Sequence, residues 1–186
     1  MIFIKLKNRL TFVFFGHLKQ KAMKTTKSTL LLFSLFTIIS FSACAGWNCK
    51  EGKEKVTTKK ITLENFTSVN FNLPGDLILK QVNEAAPKTL EVSINDDLHQ
   101  YITTEIKDGK LVIAADPCIK SDDEMIFTLT VANLDEITVN GSGDVASEKP
   151  FKAEKLKLNI NGSGDMEIEL EVEELNTNIN GSGDIE

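Results

Sequence analysis

The chain has 186 residues, 27 acidic against 21 basic, with a formal net charge of −6; this is room for one domain with flanking segments. The charge is unevenly placed. The first 43 residues hold seven of the 21 basic side chains and no acid, so the remainder carries 14 lysines, no arginine and a net charge of −13. A surface that acidic disfavours nucleic acid and anionic lipid as partners.

In chain order, the first informative segment starts at Met23. Met-Lys-Thr-Thr-Lys precedes an apolar stretch from Leu30 to Phe41 and then Ser42-Ala43-Cys44. A basic start, a short apolar run and small residues at the end form an export signal. The run is too short for a membrane span, which needs about twenty apolar residues. Met1 to Ala22 fits no signal plan, which makes Met23 an alternative start. The Phe-Ser-Ala-Cys ending at Cys44 resembles the lipobox of bacterial lipoproteins, with Phe41 in place of the usual Leu. That resemblance implies a diacylglyceryl group on the Cys44 thiol and cleavage that makes Cys44 the N-terminus. An ordinary secretory signal with a chance Cys is the alternative. Residues 44–60 are polar and charged and read as a tether. Cys49 lies in it and Cys118 in a loop; a disulfide between them is open to an exported protein, and the sequence does not decide it.

From Ile61 to Val131 the pattern is strand-rich. Phe66 to Asn72, Asp76 to Val82, Thr89 to Ile94, Ile102 to Ile106, Leu111 to Ala115 and Met125 to Val131 carry β-branched or alternating apolar residues. Asp108-Gly109 is a two-residue hairpin signal. Asn95 to Tyr101 fits one helical turn, capped by Asn95 or Asp96. Leu73-Pro74-Gly75-Asp76-Leu77 looks like a degenerate form of a turn that recurs later. This segment reads as the irregular first portion of the repeat that follows.

The pentapeptide Asn-Gly-Ser-Gly-Asp then occurs three times, as Asn140, Gly141, Ser142, Gly143, Asp144; as Asn161, Gly162, Ser163, Gly164, Asp165; and as Asn180, Gly181, Ser182, Gly183, Asp184. A period near twenty marks stacked coils. Apolar residues alternate into each copy and one follows each Asp, so the unit is strand, tight turn, strand. The glycines supply φ > 0, and Asn and Asp bond nearby backbone. In Met166 to Val172, Met166, Ile168, Leu170 and Val172 face one side and Glu167, Glu169 and Glu171 the other. Coils about 4.8 Å apart would stack Val139, Ile160 and Ile179 in one interior column and set Gly-Ser-Gly as a ridge along one edge. The residues predict a β-solenoid.

With these turns, Phe66, Val69-Asn70-Phe71 and the run Asp108-Gly109-Lys110-Leu111-Val112-Ile113, the chain resembles the auto-transporter adhesin head GIN domain family from Ile61 to Glu186. The resemblance implies a right-handed parallel β-helix similar to pectate-lyase-like folds, a role in adhesion and no known enzymatic activity. The chain stops two residues after Asp184, in mid-strand, whereas a solenoid needs a cap; the expectation is a truncated C-terminus.

Catalysis is not supported. Lyases on such a scaffold resemble one another in using acid clusters for calcium and a basic residue, commonly Arg, whereas the exported chain has no Arg and one His, His99. Asn95-Asp96-Asp97 and Asp122-Asp123-Glu124 read as solvated loops. Ser142, Ser163 and Ser182 lack a base, which a nucleophile needs within hydrogen-bond reach. Asp144, Asp165 and Asp184 would stack as a carboxylate column, but calcium wants six to eight oxygens, and turn residues capped by backbone amides are the favoured reading. Glycan binding by ring stacking is poorly supported, because Phe66, Phe71, Phe127 and Phe151 read as core; outward Asn and Glu rows stay open to a polar partner.

The sequence therefore predicts an all-β, right-handed parallel β-helix or β-solenoid with a leader at 1–43, a tether at 44–60 and a solenoid at 61–186, its repeats at 134–154, 155–174 and 175–186. The expected function is binding or adhesion by an exported protein, lipid-anchored in the bacterial cell envelope at the outer membrane, with no cofactor, no metal and an unknown surface or extracellular ligand. An envelope spacer and a degenerate polysaccharide-active enzyme are the alternatives.

Overall fold

The computed structural model describes residues 49–186, which fall within one compact unit, 46–186. The leader, the lipobox and Cys44 lie outside the described residues. The strands are β1 (Lys50–Glu51), β2 (Val56–Thr62), β3 (Ser68–Phe71), β4 (Asp76–Gln81), β5 (Thr89–Asn95), β6 (Ile102–Lys107), β7 (Lys110–Ala115), β8 (Ile119–Lys120), β9 (Ile126–Val131), β10 (Glu136–Gly141), β11 (Asp144–Ser147), β12 (Phe151–Gly162), β13 (Met166–Glu167) and β14 (Leu170–Gly181). One 3-10 turn covers Asp96–Tyr101.

Two six-stranded sheets face each other. The first runs β14-β12-β10-β3-β7-β6 and the second β13-β11-β4-β9-β5-β2. The repeat strands pair in parallel and in register, Val139 with Ile160 and Ile160 with Ile179. The parallel pairing continues through β3–β10, β3–β7, β4–β11 and β4–β9. Among the described residues three pairs are antiparallel: β5 with β2 and with β9, and β6 with β7. The expected right-handed parallel β-helix is therefore corrected to an all-β fold of two mixed sheets. Two local causes are visible. Asp108 and Gly109 both take positive φ, +52° and +75°, as a two-residue hairpin turn requires, so β6 must return antiparallel on β7. The stack also departs from chain order, because β3 sits between β7 and β10, and β4 between β9 and β11. The chain thus leaves the β3–β4 layer, builds the antiparallel strands and returns to the other side.

Every second residue of the central strands points between the sheets, as the period of two demands. Phe71, Phe127, Phe151, Leu77, Leu111 and Ile113 are fully buried. Phe71 meets Phe127 edge to face, ring centroids 5.2 Å apart at 67°; burying one such ring is worth about 1.5–3 kcal/mol. Leu158, Ile160 and Ile168 are buried as expected. Ile179 is not: it is 43% exposed, although it lies in register with the fully buried Ile160. The reason is position, since among the described residues β14 is an edge strand with a neighbour on one side only. The run Met166 to Val172 keeps its alternation, with all three glutamates exposed, but it is not one strand. It crosses from the second sheet to the first at Ile168 and Glu169.

Much of the expected tether is ordered. β2 pairs with β5 along its whole length. The Lys53 and Glu54 amides donate to the Asp97 carboxylate at 3.1 and 3.3 Å. Cys49 and Cys118 are joined in a disulfide, 69 residues apart in sequence, beside the parallel pair β1–β8. Asn95 precedes the 3-10 turn without capping it, because its side chain bonds Glu54 O and Asp123 Oδ2 instead.

Candidate functional site

The three pentapeptides superpose along the edge where the chain passes from the first sheet to the second. The first glycine of each copy is required by its backbone angle, and at Gly162 and Gly181 also by crowding against the carbonyl oxygens of Gly141 and Gly162; the second is required by crowding alone. Gly141, Gly162 and Gly181 have φ of +117°, +150° and +150°, which disfavours any side chain. Gly143, Gly164 and Gly183 are required by crowding. A Cβ on Gly164 would collide with the carbonyl oxygen of Gly143, one on Gly183 with that of Gly164, and one on Gly143 with Leu73 O and the Phe71 ring. The sequence signals the first requirement; the second appears only when the coils are stacked.

On one flank of this ridge the asparagines form a ladder. Asn180 Nδ2 donates to Asn161 Oδ1 at 3.2 Å, Asn161 Nδ2 to Asn140 Oδ1 at 2.9 Å, and Asn140 Nδ2 to Asn72 Oδ1 at 2.7 Å. Asn72 is the rung that sequence reasoning missed. Its signal was the degenerate turn after it: Gly75 has φ +107°, and Asp76 stands in register with Asp144. On the other flank stand the aspartates. Asp144 Oδ1 accepts the Asp165 amide at 2.7 Å, and Asp165 Oδ1 accepts the Asp184 amide at 2.8 Å. The carboxylates thus cap backbone N–H groups of the next coil, as expected of turn residues. Ser142, Ser163 and Ser182 are exposed along the crest. Burial, together with the charges of Asp144 and Glu124, holds the Asp76 carboxyl above its ordinary range.

Behind the asparagine ladder, on the outer face of the first sheet, Asn70, Thr138, Asn159 and Asn178 share one row. Asn159 Nδ2 donates to Thr138 Oγ1 at 3.1 Å and Glu136 Oε1 at 2.9 Å. Asn70 Oδ1 is buried without a hydrogen-bond partner. Glu136 lies between Lys110 and Lys157, at 3.3 and 3.1 Å. Burial pushes its carboxyl up, but the two lysines outweigh that and hold it below the usual range.

His99, the one histidine of this region, bonds Thr57 rather than a ridge serine. Its Nε2 lies 3.1 Å from both Thr57 Oγ1 and Thr57 O. The Thr57 hydroxyl donates to Asp96 Oδ1 at 2.7 Å, so its proton is directed at a carboxylate, not at the imidazole. This is not the geometry of an activated nucleophile. Burial lowers the His99 pKa. Among the described residues no group of three or more His, Cys, Asp or Glu side chains converges to hold a metal. The edge opposite the ridge carries an open cleft of about 800 Å³, lined by Glu84, Asn133, Lys152, Glu154, Glu171 and Glu173.

These features define a class: an all-β, two-sheet repeat domain whose ordered polar chemistry lies along one turn ridge. The chain belongs to the family described as putative auto-transporter adhesin, head GIN domain, matched over residues 65–186. It is similar to the crystal structure of a putative adhesin from Parabacteroides merdae, at 26% identity and TM-score 0.62, covering 69% of this chain and 54% of that one. A putative adhesin from Bacteroides fragilis shares the fold at 24% identity and TM-score 0.66, covering 73% and 63%. A structure described as a putative lipid binding protein from Parabacteroides distasonis matches at 25% identity and TM-score 0.63, covering 73% and 58%. The chain thus spans between 54% and 63% of the length of these three structures. A comparison with the curated proteins finds no match. The family and two of these three neighbours carry the names of adhesins, and a cell-surface or envelope location goes with that family.

Proposed function

We propose that this chain is a lipoprotein of the bacterial cell envelope, held at the outer membrane through Cys44, whose two-sheet domain is a non-enzymatic adhesion module with the turn ridge as its contact surface. The observation that carries this reading is the repetition of one polar set, Asn, Ser and Asp, at the same register in successive coils. Inter-coil bonding uses part of the hydrogen-bonding capacity of the Asn and Asp side chains; the remainder, with the serine hydroxyls, faces solvent. The spacer reading has an observation of its own, since the asparagine and aspartate side chains already serve the stack.

Two experiments test the proposal. A Cys44→Ser form should fail to take up labelled fatty acid and should leave the membrane fraction, because the two acyl chains of a diacylglyceryl group give stable anchoring where one chain is marginal. Labelling that persists in Cys44→Ser would remove the anchor. Cells displaying the wild-type chain should adhere to a surface that cells displaying Asn140→Ala/Asn161→Ala do not hold. Equal adhesion by the two would favour the spacer.

A further inference from the structure

We propose that the ridge binds a neutral, hydroxyl-rich polysaccharide laid along the stacking direction of the coils. This rests on the reading of the ridge as a contact surface and assigns the class of ligand.

Hydrogen-bond inventory carries the argument. A primary amide offers two N–H donors and two carbonyl lone pairs. In the ladder, Asn140 and Asn161 each spend one N–H and one lone pair on their neighbours. Each keeps one of both. The bonds all point the same way, from Asn180 towards Asn72, so they polarise one another and fix the side-chain rotamers. Ordering cost is thereby met before a ligand arrives. Across the crest, Asp144 and Asp165 each commit one oxygen to an amide of the next coil and keep the other. The exposed hydroxyls of Ser142, Ser163 and Ser182 lie between the two columns.

Each coil therefore presents a free amide donor and acceptor, a hydroxyl and a carboxylate acceptor within one turn. Sugar hydroxyls, which both donate and accept, complement that set. Other polymers do not. A polyanion would meet the aspartate column on a body already at net −13. An apolar chain would find no matching surface, since the exposed large hydrophobic residues among those described are Val56, Leu175 and Ile179, none of them on the crest. Among the described residues no exposed aromatic side chain lies on the crest, which implies weak contact per coil. A polymer compensates, because the coils repeat about every 4.8 Å, a step comparable to one pyranose ring, and linked weak contacts sum to useful avidity.

Affinity electrophoresis of the full-length chain in gels containing dextran, mannan, xylan or amylose tests this, with heparin and alginate as polyanionic controls. The expected result is retardation by at least one neutral polymer, weakened about tenfold in Asn140→Ala/Asn161→Ala and insensitive to added salt. Since the amide variant also touches the stack, Ser142→Ala/Ser163→Ala/Ser182→Ala provides a second variant with exposed, fold-sparing changes, and it should weaken retardation too. No retardation by any neutral polymer, retardation unchanged in the serine variant, or stronger retardation by heparin would each overturn the proposal. Failure of the glycan assignment is distinguishable from failure of the contact surface. Cells that still adhere through the ridge, with no competition from these polymers, would remove the sugar and leave the module.

Discussion

The two ends of the stack are built on different principles. At one end the chain turns back on itself: β5, β6 and β2 run antiparallel over the parallel layers, and the Cys49–Cys118 disulfide lies among them. Of the two edge strands there, β6 and β2, the latter carries Thr57, Thr58, Lys59 and Lys60, the kind of polar edge that resists pairing with another chain. At the other end stands β14, twelve residues long, with Leu175 47% and Ile179 43% exposed and no strand on its outer side among the described residues. Identical turns therefore do not confer identical stability. A coil is as stable as the neighbours that cover it.

The largest effect expected from this contrast is at the disulfide. Closing a loop of 69 residues stabilises by roughly 4 kcal/mol in the chain-entropy model. Cys118→Ala should lower the urea midpoint accordingly, and adding reductant to the wild type should reproduce the loss. A change of less than about 1 kcal/mol would mean that the antiparallel end is held by its strands alone.

The second test compares two residues in one register. Ile160→Ala empties a fully buried site and should cost about 2–5 kcal/mol. Ile179→Ala, at a site 43% exposed, should cost under about 1 kcal/mol. Urea unfolding of the pair measures the difference, and equal losses would show that β14 is covered in solution.

A third comparison uses the crowded glycines. Gly164→Ala places a methyl group against the Gly143 carbonyl inside a stack paired on both sides, and overpacking of this kind costs about 1–3 kcal/mol. Gly183→Ala meets the same obstacle one coil further on, but its coil has the open edge and can shift. Thermal melts should therefore rank Gly164→Ala below Gly183→Ala, and the reverse order would mean that the outer coil is the more rigid.

How much of this the sequence displayed depends on the range of the interaction. Alternation and turn chemistry are local, so most strands from β3 onward, the positive-φ glycines and the backbone capping by Asp144 and Asp165 were legible. The two-residue β8 was not, and Met166 to Val172 read as one strand where β13 ends and β14 begins. The parallel register of the repeats followed from their period. The order of layers was not legible, because nothing local says that the β3–β4 layer will be sandwiched between layers built later. Asp108-Gly109 did carry the hairpin that breaks the helix, but as one turn against three repeats it was absorbed into the solenoid reading. The tether failed for a similar reason: Val56-Thr57-Thr58-Lys59-Lys60-Ile61-Thr62 has too few apolar residues to look like a strand and is held by its backbone ladder to β5. Of the candidate site, the Asn, Ser and Asp columns were visible as motifs, whereas the Asn72 rung required the stacked register.

The smallest effect, and the most diagnostic of the ridge, concerns Asp76. Its folded carboxyl is held above the ordinary aspartate value by burial and by the charges of Asp144 and Glu124. A carboxyl raised on folding binds its proton more tightly in the native state than in the unfolded chain. Its contribution to stability therefore rises as pH falls from the raised value to the ordinary one, and near neutrality the charge is a burden on the fold. Asp76→Asn removes that burden, so the variant should melt at a slightly higher temperature than the wild type at neutral pH. The advantage should disappear once acid has protonated Asp76 in both states. Glu136 provides the opposite sign: burial opposes its charge, but Lys157 and Lys110 prevail, its pKa is lowered, and its contribution is present at neutral pH and lost as pH falls through the depressed value. Melting curves of wild type, Asp76→Asn and Glu136→Gln across the acid range separate the two. A destabilised Asp76→Asn at neutral pH would show that the ionised carboxylate has a partner on the ridge, and that the aspartate column begins at this fourth rung rather than at Asp144.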